Sequence, residues 1–113
     1  MSVKLNTRQV GDVSVVDVAG RITLGEGSSA LRDALKAMVG KGQKKILLNL
    51  GEVSYIDSSG IGELVSGFTS VTNNGGQLKL LNLNKRVKDL LQITKLYTVF
   101  DVHDDEASAV RSF

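Results

Sequence analysis

The chain contains no cysteine, which removes disulfides and thiolate-bound metal from the chemistry open to it. No apolar run approaches the length of a bilayer span. The opening residues MSVKLNTRQV alternate polar and apolar side chains, without the continuous apolar centre of a signal peptide. A cytoplasmic chain is the simplest expectation. Neither sign of charge predominates. A formal net charge of +2 is too small to imply a nucleic-acid partner, and the lysines of KGQKK (Lys41 to Lys45) and NKRVK (Asn84 to Lys88) read as solvated surface. The 42% hydrophobic and 23% charged residues are ordinary for a globular protein. A length of 113 residues allows one core and no second.

Catalytic patterns are missing too. A nucleophile elbow, G-x-S-x-G, needs glycine two residues before the serine, whereas Ile56 precedes Ser58 by that distance and Asp57 precedes Ser59. The S-x-x-K pattern fails because Ile61 and Gly62 stand where lysine belongs. His103 is the only histidine, near the C-terminus, and with no nucleophile beside it a solvated side chain is the expectation. GEGSSA (Gly25 to Ala30) formally matches G-x-G-x-x-A, but GRITL separates it from the preceding apolar run. In a dinucleotide site the glycines follow the strand directly. Asp101, Asp104 and Asp105 are explained by an acidic helix start. No cofactor, metal or catalytic residue is expected.

What is present is a regular alternation of elements. VKLNTRQV and VSVVDV are rich in Val and Leu and flank Gly11-Asp12, a two-residue hairpin signal. A helix follows in SSALRDALKAMV, with Ala30, Leu31, Ala34, Leu35 and Met38 at helical spacing. KILLNL (Lys45 to Leu50) is the unbroken apolar run of a strand covered on both faces. From about Ser59 to Asn73, Ile61, Leu64, Val65, Phe68 and Val71 form a helical apolar stripe. QLKLLNL reads as a strand, then come a helix with Val87, Leu90 and Leu91 inward, a strand YTVFDV, and a short acidic-started helix in DDEASAVRSF. The order ββαβαβαβα predicts an α/β fold: a mixed sheet of four or five strands with an N-terminal hairpin, packed against about four helices.

One stretch, YIDSSGIGELVSGF, is not explained by this scheme. Asp57, Ser58 and Ser59 are good helix caps. Yet Gly60 and Gly62 occupy the first helical turn, where each glycine costs up to about 1 kcal/mol relative to alanine. The face opposite the apolar stripe carries Glu63, Ser66, Gly67 and Ser70, mostly small residues that would let another protein approach closely. A serine at a helix N-terminus also tolerates added phosphate. Ser58 or Ser59 therefore reads as a modification site on a docking surface.

VSYIDSSGIGELV resembles the signature of the bacterial anti-sigma factor antagonists, which are single STAS domains. AGRIT and VKDLLQITKLYTVFDVHDDEASAV resemble that family's second strand end and C-terminal third, so the likeness covers nearly the whole chain as one STAS domain, 1–113. The resemblance implies a non-enzyme that binds an anti-sigma factor, itself an ATP-dependent serine kinase, and thereby frees a sigma factor. It implies phosphorylation at Ser58 and reversal by a metal-dependent serine phosphatase. From the composition no nucleic acid or membrane span is expected to be involved, and a monomer is expected. The partner-binding surface would comprise Asp57, Ser59, Gly60, Ile61, Gly62, Glu63, Ser66 and Thr23. Thr23 departs from the family, whose members usually carry an acidic residue there, and this bears on the efficiency of phosphorylation. Two alternatives stand beside this reading. One is a constitutive STAS subunit of a lipid-transport or stress-signalling assembly, and the other is a small-molecule module using GEGSSA.

Overall fold

A computed structural model describes residues 3–113. Strands β1 (Val3–Val10) and β2 (Val13–Ile22) pair antiparallel. Gly11 joins them at φ +62°, the left-handed geometry that a side chain would strain and that a tight hairpin requires. β2 extends past the expected VSVVDV. Its pairing with β3 slips between Asp17 and Ala19 and again between Gly20 and Arg21. These irregularities break the two-residue alternation, so the periodicity hides the strand's continuation to the fully buried Ile22.

Helix α1 (Glu26–Gly40) buries Leu31, Leu35 and Met38. Strand β3 (Lys45–Ile56) lies parallel between β2 and β4 (Gln77–Leu81). Ile46, Leu48 and Leu50 face the main core and Leu47 faces the other side, which accounts for an unbroken apolar run. Helix α2 (Ser58–Asn73) buries Ile61, Leu64 and Val71, while Val65 and Phe68 are half-buried against the same core. Helix α3 (Lys85–Ile93) is capped by Asn84, whose side chain accepts from Val87 N–H at 2.9 Å, and it buries Val87 and Leu91.

The last strand, β5 (Asp101–His103), is shorter than the expected YTVFDV. Lys95 turns at φ +61° and Leu96 N–H returns to the Leu91 carbonyl at 2.8 Å. The following residues carry Phe100 into the core, where its ring meets Phe68 edge-on at 5.5 Å. Three residues are left to pair with β4.

The five-stranded sheet runs in sequence order, β1 to β5. Residues of α1, α2 and α3 share one core cluster, the one-face arrangement expected of right-handed crossovers all made in one direction. Helix α4 (Glu106–Arg111), capped by Asp105, covers Val13, Val15, Leu47 and Leu81 on the other. Arg8 fastens α4 to the hairpin, donating from Nε to Asp17 at 2.6 Å and from Nη1 to Glu106 at 2.9 Å.

Candidate functional site

The carboxyl ends of β2 and β3 place their following loops side by side, and Asp57 joins them. Its N–H donates to the Ile22 carbonyl at 3.3 Å. Its carboxylate accepts from Gly60 N–H at 2.9 Å and from Leu24 N–H at 3.1 Å. The Gly60 N–H, helped by those of Leu24 and Ser59 and opposed by partial burial, holds this carboxyl below the usual range. Asp57 is therefore anionic at neutral pH and caps α2 while anchoring the β2–α1 loop.

The two serines, alike as helix-capping residues, differ in the structure. Ser59 is half-buried with its Oγ 3.0 Å from that of Ser28. Ser28 is buried and donates its own hydroxyl proton to the Thr23 carbonyl at 2.9 Å. Ser59 is thus the donor in the serine pair, and its proton is committed to a chain linking α2, α1 and the end of β2. Ser58 is exposed, and among the described residues its hydroxyl has no hydrogen-bond partner. It is the free hydroxyl of the pair.

The remaining predicted residues separate into surface and interior. Ser58, Gly62 and Ser66 are exposed and spaced four apart, so they stack on one helix face. Glu63 is half-buried and lies 3.5 Å from Arg32. Thr23 is half-buried and contributes its backbone carbonyl to the loop, accepting from both Ser28 N–H and Ser28 Oγ. Ile61 and Gly60 lie inside. A Cβ at Gly60 would stand 2.4 Å from the Ile22 carbonyl oxygen and 2.6 Å from Ile56 Cγ1. This glycine serves close packing of α2 on the sheet, and not access from outside. The expected small outward face is corrected in the same way at Gly67, where a Cβ would meet Leu35 Cδ1 of α1 at 2.4 Å. Gly27 of GEGSSA likewise answers to the chain's own backbone, since its Cβ would lie 2.4 Å from the Arg21 carbonyl oxygen. His103, expected to be solvated, is partnered by Asp101 at 3.1 Å, and Asp101 also pairs with Lys79 at 3.0 Å.

Beside Ser58 opens a groove of about 640 Å³ between the end of β3 and α3, lined by Tyr55, Asp57 and Ser58 on one side and Arg86, Leu90 and Ile93 on the other. Ile93 is 77% exposed, and Leu24, adjacent through its bond to Asp57, is 82% exposed. Sequence reasoning missed Leu24, Ser28, Tyr55, Arg86 and Ile93. Only Leu24 and Ile93 carried a signal, as isolated apolar residues beside turn or polar neighbours.

The STAS-domain family model matches residues 4–109. This chain belongs to the STAS-domain family. Over 102 residues the STAS chain is 33% identical to the anti-sigma-B factor antagonist of Bacillus subtilis (strain 168), covering 90% of this chain and 92% of that one, which places it with the anti-sigma factor antagonists. The crystal structure of an anti-sigma factor antagonist from Mycobacterium paratuberculosis shares the fold with a TM-score of 0.84 at 20% identity, covering 98% of this chain and 93% of that one. The Bacillus cell fate determinant SpoIIAA in its phosphorylated form does so with a TM-score of 0.76 at 19% identity, over 96% and 98% of the two chains.

Proposed function

We propose that this STAS domain is a phosphorylation-controlled anti-sigma factor antagonist of the cytoplasm. Unmodified, it binds an anti-sigma factor that is also a serine kinase, and so frees a sigma factor. The observation that carries the reading is the contrast between an exposed, unpartnered Ser58 hydroxyl and a Ser59 hydroxyl already committed to Ser28.

In the modification, Ser58 Oγ attacks the γ-phosphorus of ATP, the bond to the ADP oxygen breaks, and the serine proton passes to a base of the kinase. The kinase supplies the nucleotide, Mg²⁺ and transition-state stabilisation. This chain contributes an accessible, unpartnered hydroxyl and no catalysis. A metal-dependent serine phosphatase restores the unmodified state. The exposed stripe of Ser58, Gly62 and Ser66, with Leu24 beside it, is a low-relief surface for the partner. Phosphate adds a charge of about −1.5 to −2 to that surface next to the anionic Asp57. A penalty of about 2.7 kcal/mol weakens binding about a hundredfold, enough to release the partner. A whole-length likeness to a named antagonist supports this reading over a constitutive subunit of a larger assembly.

The test is incubation with the partner kinase and ATP, followed by intact-mass and tandem mass spectrometry. One phosphate on Ser58 is expected, and none on the Ser58→Ala protein. Phosphate on Ser59 or elsewhere, or an unchanged mass, would refute the switch.

A further inference from the structure

Arg86 lines the groove beside Ser58 and Arg21 stands outside its lining on the ring of Tyr55, and each of these two cations has that ring, not a carboxylate, as its partner. The guanidiniums of Arg21 and Arg86 lie 4.7 and 4.9 Å from the Tyr55 ring centroid. Both arginines are exposed, and among the described residues neither has an ion pair. Arg21 sits opposite Tyr55 in the β2–β3 register, and Arg86 faces Tyr55 and Ser58 across the groove.

The other charges in the groove are already engaged. Asp57 is bound by backbone N–H groups, and Asp89 of α3 pairs with Lys85 at 2.8 Å. A phosphate dianion on Ser58 would enter a groove holding these two carboxylates, so it needs cations not yet neutralised. Arg86 and Arg21 answer that need. A planar guanidinium matches phosphate oxygens two at a time, and such charge-assisted bonds are stronger than an exposed contact with an aromatic face.

We propose that Arg86, supported by Arg21, is an internal receiver for the phosphate on Ser58, exchanging the Tyr55 ring for the phosphate oxygens. The proposal rests on the reading of Ser58 as the modified residue. On this account phosphorylation does more than charge the docking face. It draws the modified side chain and Arg86 across the groove, covering the apolar wall of Leu90 and Ile93.

The experiment places phosphoserine at position 58 during translation by codon suppression and follows its phosphorus resonance against pH. Three proteins are compared: the parent sequence, Arg86→Gln, and the double variant Arg21→Gln/Arg86→Gln. A free phosphoserine titrates near pH 6. The parent's midpoint should lie below that of the double variant by about 0.3 units or more, because neighbouring cations favour the dianion, with the single variant between them. A smaller difference would overturn the receiver. A second readout needs no substitution: the Arg86 Nε–H resonance should move between the serine and phosphoserine forms of the parent, and an unmoved resonance would overturn it as well. Because the phosphate is inserted without a kinase, this titration stands apart from the switch itself. A Ser58 left unmodified by the kinase would refute the switch while leaving the receiver measurable.

Discussion

Gly60 and Gly62 sit two residues apart in the first turns of α2, and replacing each by alanine should change stability in opposite directions. Helix propensity alone favours both substitutions, by up to about 1 kcal/mol each. At Gly62 nothing lies within 4 Å of the added Cβ, so Gly62→Ala should stabilise by up to that amount. At Gly60 the Cβ would stand 2.4 Å from the Ile22 carbonyl oxygen, 2.6 Å from Ile56 Cγ1 and 2.9 Å from Ile22 Cγ2. A backbone oxygen has no rotamer by which to withdraw, so the start of α2 has to move away from β2 by roughly 1 Å to restore ordinary contact. Overpacking of this kind costs about 1–3 kcal/mol. The shift also stretches the bonds of Asp57 to Ile22 and Leu24, already 3.3 and 3.1 Å long, and losing one costs about 0.5–1.5 kcal/mol. Set against the propensity gain, Gly60→Ala should destabilise by about 1–3 kcal/mol. Urea titrations of the two variants should show midpoints displaced to opposite sides of the parent at similar slope. In a thermal scan each kcal/mol corresponds to about 4 °C in Tm for a domain of this size. A Gly60→Ala protein as stable as the parent would refute the close approach of α2 to Ile22, and a Gly62→Ala protein destabilised by more than about 0.5 kcal/mol would refute the open space assigned there.

Leu64, fully buried at the centre of α2, should cost about 2–5 kcal/mol on replacement by alanine, and a loss below about 0.5 kcal/mol in urea would place the wrong face of α2 inside. Arg8 holds the carboxyls of Asp17 and Glu106 below their usual ranges through direct hydrogen bonds. Their folded-state affinity for protons is thus lower than in the unfolded chain, so the stabilisation is complete at neutral pH and fades as pH falls from about 5 through the folded values. With side-chain exposures of 37%, 30% and 37% for Arg8, Asp17 and Glu106, each pair falls in the range of about 0.2–1 kcal/mol. The stability gap between the parent and Arg8→Gln should therefore close in acid, and a gap that widens below pH 4 would contradict this account. Ser59→Ala should lose about 0.5–1.5 kcal/mol with its bond to Ser28 while Ser58 is still phosphorylated, and loss of modification in this variant with its fold intact would count against the division of labour between the serines. Ser58→Asp should weaken partner binding in calorimetry with little change in Tm, and undiminished affinity would argue against charge as the releasing agent.

The order of elements was legible in the sequence because each signal is local. A hairpin glycine, the spacing of Leu31, Leu35 and Met38, and the run Ile46 to Leu50 report which faces of one segment are covered, and backbone geometry converts that into helix or strand without reference to the rest of the chain. The same locality made DSSG visible as a capped, unusual helix start. The rest depends on pairs of segments that no local pattern connects. Local pattern offers Ser58 and Ser59 alike, and the family resemblance singles out Ser58 without a physical reason; that reason is Ser28, 31 residues away, which takes the hydroxyl of Ser59 and leaves Ser58 free. Gly60 and Gly67 look like openings to a partner until Ile22 and Leu35 are seen to occupy the space. YTVFDV reads as strand throughout until Phe100 turns inward to meet Phe68 and leaves three residues for the sheet. The groove beside Ser58 exists only because β3 and α3 bring Tyr55 and Arg86 together. Periodicity records that a side chain is covered or exposed, but the atom that covers it, or the hydroxyl left without one, is set by contact between elements distant in the chain.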